Sequence, residues 1–448
     1  MKVSLPILQG EEARLALSRR PGQAAPSQAL QARTAEIFGQ VIPPAEAVRR
    51  ILASVRSGGE AALIGWNRRI DRRGDDRLYL NQSDLDQLWE NGQLTLEEDL
   101  EQAIQLAVAR VTAFHRSQPA QGWIQSGAGG TLGQLVLPLE RVGIYVPAGS
   151  APLISSLIMT AVPALVAGVT ELVLATPPGP GGLPHPALLH TARQLGIGEL
   201  LLAGGAQAIA AMAYGLEGLR PVDKVVGPGN TFVVLAQQQI YGETGAATLP
   251  GPTETLIVAD GSARVSWVAA DLLAQAEHVG AQPVLVSLST ELLAELPGEL
   301  ERQLAALPQP NRSWAEESIG HRTLLVRAIT PKEAFELANR YAPEHLCLLL
   351  ERPWDYLGLI RNAGGIFVGE SSMEALGDYL AGPSHVMPTG GTARFASPIN
   401  LRDFQKIISL VGVSAEALQQ TGRPAATLAR AEGLEAHARA ILSRLDQG

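Results

Sequence analysis

VGIYVPAGSAPLISSLIMTAVPALVAGVT, residues 142–170, decides the architecture. No charged side chain interrupts it, and about 20 apolar residues suffice to cross a bilayer. Yet Pro147, Pro152, Pro163 and the Gly149-Ser150 step break it into shorter pieces. It reads as a strand over 142–146, a turn, and a buried helix from about 153 to 167. Outward from it the same rhythm continues. Strands are expected at 171–175, 199–203 and 224–226, each followed by a Gly- or Pro-rich turn and a helix, which is the pattern of a doubly wound parallel sheet. The turns AGGAQ (203–207) and VGPGN (226–230) fall at strand C-termini, where such sheets bind ligands. Neither matches G-x-G-x-x-G, so the letters alone do not specify a nucleotide.

A second alternation runs from 253 to 368 through TLIVA, PVLVSL, RTLLVRAI, HLCLLL and GGIFVG, with a helix expected from Val265 to His278. Upstream, residues 1–44 read as an arm. Residues 45–118 read as mostly helical, with Gly58-Gly59 breaking one amphipathic helix, a long helical pattern from 81 to 116, and His115 as a surface or capping residue. Downstream of Gly369 the chain turns Gly-rich and strand-poor. Residues 425–445 then place Leu428, Ala431, Leu434, Ala438, Ile441 and Leu445 on one helical stripe that needs a surface to cover.

At 448 residues, two or three domains are expected. The net charge of -9, from 35 basic and 44 acidic residues without a long basic run, argues against nucleic acid or an anionic membrane as partner. One cysteine, Cys347, excludes an internal disulfide framework and a thiolate zinc cluster, so any metal is held by His, carboxylate or amide groups. With acidic Glu11 and Glu12 and no apolar signal core, a cytoplasmic enzyme is expected.

Four stretches bring titratable groups together. In YAPEHL (341–346), Pro343 stops a helix just before Glu344 and His345, and a carboxylate beside an imidazole can move two protons in one site. For such a dipeptide standing alone, a polar helix exit is the commoner reading. Gln275 and His278, three apart on a helix, share a face and could share a metal. GDYLAGPSH (377–385) offers Asp378 and His385 in a sharply folded loop. Glu432 and His437 are five apart, about 140° around a straight helix, so spacing alone does not join them; Gly433 lies between.

RVGIYVPAGSAPL, GGAQAIAA, VGPGN, GPTETLIVAD, LLAQAEH, YAPEHL, GDYLAGPSHVMPTGG and EGLEAH follow one another in an order and at spacings that resemble histidinol dehydrogenases from about residue 45 to 445. The resemblance implies two NAD+-dependent oxidations of L-histidinol, through the aldehyde, to L-histidine, with Zn2+ and a homodimer whose site is shared between subunits. It implies Gln275, His278, Asp378 and His437 as zinc ligands, His345 as general base, and Glu344 as the group that activates water. Thr253, His385 and Glu432 would contact substrate, and Tyr145, Gln207 and Asn230 would contact NAD. The implied fold class is α/β, with two Rossmann-like doubly wound parallel-sheet domains and small N- and C-terminal helical or extended arms exchanged in a dimer. The expected division is an arm (1–44), a catalytic and metal-binding domain (45–138 with 251–385), an NAD-side domain (139–250) and a C-terminal helical tail (386–448) completing the partner's site. Departures from the family are Gln237–Gln239 for a basic pair, Thr253 for Ser, Ser384 for Asn, and Cys347 for an acid. The alternative on the same scaffold is a zinc- and NAD-dependent polyol or sulfonated-diol dehydrogenase.

Overall fold

A computed structural model describes residues 3–19, 28–127, 129–147, 152–247 and 251–445; the turn at Gly149-Ser150 lies outside them. Two six-stranded sheets dominate. In the first, all strands are parallel, in the order Ile7–Leu8, Leu324–Arg327, Gln282–Ser287, Glu254–Ala259, His345–Leu349, Gly365–Val368. Successive residues of each central strand face opposite cores: Ile257, Leu285, Leu325 and Cys347 one way, Leu256, Val284, Val326 and Leu346 the other. Helices Val265–Ala276 and Thr290–Leu304 cover the first face, and Pro331–Tyr341 the second. Burial on both faces explains why these strands read as unbroken apolar runs.

The second sheet runs Tyr79–Asn81, Glu199–Leu201, Glu171–Ala175, Arg141–Tyr145, Lys224–Val226, Gly245–Ala246, antiparallel only at its first pairing. The apolar stretch at 142–170 resolves into the strand Arg141–Tyr145 and the helix Ile154–Ala167. Fourteen residues rise about 21 Å, short of a bilayer core of about 30 Å. Among the described residues no helix is long and apolar enough to cross a membrane.

Contacts correct the expected division. The helix Pro44–Ile70 buries Val48, Ile51, Leu52, Val55 and Leu63 against the second sheet's core, and Tyr79–Asn81 joins that sheet, so residues 44–81 group with the second sheet and not with the first. Part of the expected arm, Ile7–Leu8, is an edge strand of the first sheet. Gly59, at φ 55 and ψ -140, kinks the long helix as its Gly-Gly step predicts. The pattern at 81–116 divides into Gln82–Glu90 and Glu98–Arg116, and His115 is buried rather than superficial.

The tail is not wholly helical. Gln405–Val413 pairs antiparallel with Gly130–Pro138, which pairs with Trp123–Gly127, making a third, three-stranded sheet. Two helices follow, Ala415–Ala431 and Glu435–Leu445, packed on each other and separated at Gly433, whose φ of 78 suits a residue without a Cβ. Of the expected stripe, Ala438 and Leu445 are buried, while Leu428 and Leu434 remain exposed.

Candidate active site

The helix Pro331–Tyr341 starts on Thr330, whose hydroxyl accepts the Glu333 N–H, and stops at Ala342 in the left-handed conformation, φ 53. Pro343 prevents continuation, and the chain enters the strand His345–Leu349. That strand lies between Glu254–Ala259 and Gly365–Val368, so His345 sits in register with Thr255 and Gly365 at the amino end of the sheet. Thr253 and Glu254 begin the neighbouring strand at the same edge.

Glu344 is nearly inaccessible. The Thr253 hydroxyl donates to its Oε2 at 2.7 Å, and the Glu254 N–H donates to the same atom at 2.9 Å. Such bonds to a charged group are worth about 1.5–3 kcal/mol each. Drying a carboxylate costs several kcal/mol, and the carboxylates of Glu254 and Glu374 add repulsion. Burial wins, and the Glu344 carboxyl stands well above the ordinary carboxylate range. Beyond Thr253, Arg19 forms a two-pronged ion pair with the Glu254 carboxylate and lies over the Tyr341 ring, tying the N-terminal segment to this edge.

His345 is also buried, and neither ring nitrogen has a hydrogen-bond partner among the described residues. Burial first, then the proximity of His385 and His278, pushes it down to about 3. The imidazole is therefore neutral at physiological pH and free to accept a proton. Its Nδ1 lies 3.8 Å from Glu344 Oε2 and 3.4 Å from Glu374 Oε1. His385 accompanies it, with Nδ1 3.0 Å from the Asp378 carbonyl oxygen. That carbonyl requires a donor, so Nδ1 carries the proton and Nε2 accepts from the Ser156 hydroxyl at 3.4 Å. Burial lowers His385 to about 4.

Ser156 belongs to the second sheet's helix Ile154–Ala167, so the His385 contact joins the two halves. His345 stands at the amino end of its strand in the first sheet, and Ser156 in the helix that follows the carboxyl end of Arg141–Tyr145 in the second. On the carboxyl side, the Gly205 N–H donates to the Tyr145 hydroxyl at 3.1 Å, and burial raises Tyr145 to about 12. Gln207 donates through Nε2 to Asp71 at 3.3 Å, while its buried Oε1 has no partner among the described residues. Asn230 caps the helix Thr231–Ile240, accepting from the Phe232 and Val233 N–H groups. Gly227 brings this loop so close that a Cβ would lie 2.1 Å from the Tyr145 carbonyl oxygen, at a φ of 125 that side chains avoid. The glutamines that replace the family's basic pair have structural partners: Gln237 donates to the Gly227 carbonyl at 3.1 Å and Gln239 to that of Ala45 at 2.9 Å.

The donor set fits a cation bound through nitrogen and oxygen. Gln275 is buried with both amide atoms unpartnered among the described residues. Burial raises Asp378 and Asp271 to about 6 each, and nearby His278 opposes the rise at Asp378. A partly buried carboxylate pushed upward is stabilised in its charged form when a cation sits beside it. His278 itself is exposed beyond the end of its helix. No group of three or more His, Cys, Asp or Glu among the described residues is placed to hold a metal within one chain. Glu432 and His437 are not brought to this cluster; both are exposed on the tail.

Two residues of the site escape the sequence patterns. Glu374 stands alone in SSMEAL, and Asp71 follows a run of Arg and Ile; neither has a neighbour in sequence that marks it. Cys347 is inert here, its thiol raised by burial beside the Thr255 hydroxyl at 3.8 Å.

Known proteins resemble the chain over nearly its whole length. The histidinol dehydrogenase family model matches residues 40–445. Histidinol dehydrogenase of Deinococcus radiodurans is 58% identical over 98% of this chain and 99% of its own, and that of Thermus thermophilus is 49% identical over 88% and 93%. The crystal structure of the Elizabethkingia anophelis histidinol dehydrogenase superposes with a TM-score of 0.87 at 32% identity, covering 99% of this chain and 97% of that one. With nearly its whole length matched in sequence and in fold, the chain belongs to the histidinol dehydrogenase family.

Proposed function

We propose that this oxidoreductase converts L-histidinol to L-histidine in two NAD+-dependent steps, with consumption of one water and release of two NADH. In the first step His345 takes the hydroxyl proton while the carbinol hydride leaves for the nicotinamide, giving the aldehyde. Glu344, as carboxylate, takes a proton from the water that adds to the aldehyde carbon. His345 then deprotonates the hydrate as the second hydride leaves. Thr253, His385 and Glu432 hold the substrate, and Tyr145, Gln207 and Asn230 face the dinucleotide. The observation that carries the proposal is a buried His345 beside Glu344 at the amino edge of the first sheet, with His385 bridging to Ser156 in the helix that follows Arg141–Tyr145. Purified enzyme should form two NADH per L-histidinol and yield L-histidine; one NADH per substrate, with aldehyde accumulating, would refute the second oxidation.

Gln275, His278, Asp378 and a His437 supplied by a second copy of the chain would hold Zn2+. When bound, the ion supplies a Lewis-acid clamp that orients the substrate's imidazole and amino nitrogens. The third sheet supports the dimer this requires. Trp123, Leu132, Ile407 and Val411 are exposed on one face of this ribbon, and Ile124 and Leu135 on the other, apolar side chains that a second copy of the chain would cover. The cytoplasm is the compartment expected for such an enzyme.

The proposed ligands come from elements that already have their own cores, so the metal serves turnover and not folding. Chelation should abolish NADH formation while far-ultraviolet circular dichroism keeps its helical signal. Full activity in metal-free protein would refute the ligand assignment.

A further inference from the structure

One buried carboxylate has no role in the chemistry above. Glu374 opens the short helix Glu374–Gly377, and its side chain is more than nine-tenths buried. Its Oε1 is 3.4 Å from His345 Nδ1, and its Oε2 has no hydrogen-bond partner among the described residues. The other carboxylate near that nitrogen, Glu344, is farther at 3.8 Å, and the oxygen concerned already accepts two hydrogen bonds. The Phe367 ring lies 5.6 Å from the imidazole, centroid to centroid, and a Cβ on Gly377 would meet that same ring at 2.4 Å. Imidazole, phenyl ring and short helix are therefore packed against one another, with the Thr255 hydroxyl also beside the Glu374 carboxyl.

We propose that Glu374 is a positioning residue for His345: it accepts the Nδ1–H hydrogen bond, holding the tautomer whose Nε2 lone pair receives the substrate proton. The inference rests on His345 being the general base. A carboxylate at Nδ1 also stabilises the imidazolium formed when the O–H bond breaks and the proton arrives at Nε2. A separation of 3.4 Å is long for such a bond, as is common before substrate binding. The same division of labour orders the imidazole in serine proteases, where an amide in place of the carboxylate selects the wrong tautomer and costs about 10⁴ in rate.

The test compares Glu374→Gln, Glu374→Asp, His345→Asn and the double variant His345→Asn/Glu374→Gln, measuring kcat and KM for L-histidinol, bound zinc and circular dichroism. Glu374→Gln should lower kcat by about 10²–10⁴, with KM and zinc content within about threefold of the unaltered enzyme. Glu374→Asp should recover part of that loss, and Glu374→Gln should cost almost nothing further in the His345→Asn background. A folded Glu374→Gln enzyme with kcat near the unaltered value would overturn the inference alone, provided His345→Asn is inactive. Loss of zinc or a large rise in KM in step with kcat, or full additivity in the double variant, would overturn it as well. An active His345→Asn enzyme would instead remove the base assignment and the inference with it. Should Glu374→Gln not fold, Glu374→Asp decides: reduced kcat at constant KM supports the role, and unchanged kcat overturns it.

Discussion

His345→Asn is expected to slow both oxidations by about 10²–10⁴, the usual cost of losing a positioned general base. Asn is similar in reach and remains polar, so the loss isolates proton transfer from packing. The expectation follows from burial: the imidazole is held down to about 3, so it is neutral and ready before any substrate arrives. Glu344→Gln is expected to behave differently. It should leave oxidation of the alcohol within a few-fold of normal and slow consumption of supplied aldehyde by the full factor, because only hydration of the aldehyde needs an activated water. In the dry pocket the Glu344 carboxyl stands well above its usual range. It therefore becomes a base only when positive charge enters the site with substrate and metal, while the Thr253 and Glu254 donors favour the charged form. NADH formation measured separately from L-histidinol and from the aldehyde decides the matter. Slowing of alcohol oxidation alone in Glu344→Gln would reverse the assignment.

The second large effect is a recovery rather than a loss. His345→Asn and His437→Ala should each be nearly inactive, yet refolding them together should restore activity to about one quarter of normal. Random, isologous pairing makes about half of the dimers mixed. In each of those, one site collects both lesions and the other keeps a native His345 with a native His437 from across the interface. The geometry motivating this is the tail itself. His437 is exposed on Glu435–Leu445, apart from Gln275, His278 and Asp378, and the ribbon that carries the tail exposes its apolar side chains. Recovery no greater than the sum of the separate variants, with mixed dimers demonstrated, would place His437 in its own chain's site.

Much of the molecule was legible from local pattern. The central strands of the two large sheets announce themselves because burial on two faces demands continuous apolar runs, and Gly or Pro marks their exits. The strand read at 199–203 ends at Leu201 and the helix read to His278 ends at Ala276, shifts of two residues where capping rather than periodicity decides the boundary. Pro343 and Gly433 are equally plain, since one cannot continue a helix and the other tolerates positive φ. The strand Gln405–Val413 was not legible: it is stabilised by pairing with residues 130–138, some 270 positions away, and carries no buried face to set a period of two.

By itself, then, the order of residues determined the central strands and helices of both large sheets and, through eight motifs in register, the family and its candidate side chains. Tertiary structure alone decided that Pro44–Ile70 serves the second sheet, that His115 is buried, that Asp71 meets Gln207, and that Glu374 lies beside His345. The physical reason is the same in each case. Periodicity reports how much of a segment is buried, but not against what, and a solitary buried carboxylate acquires meaning only from the group that packing sets 3.4 Å away.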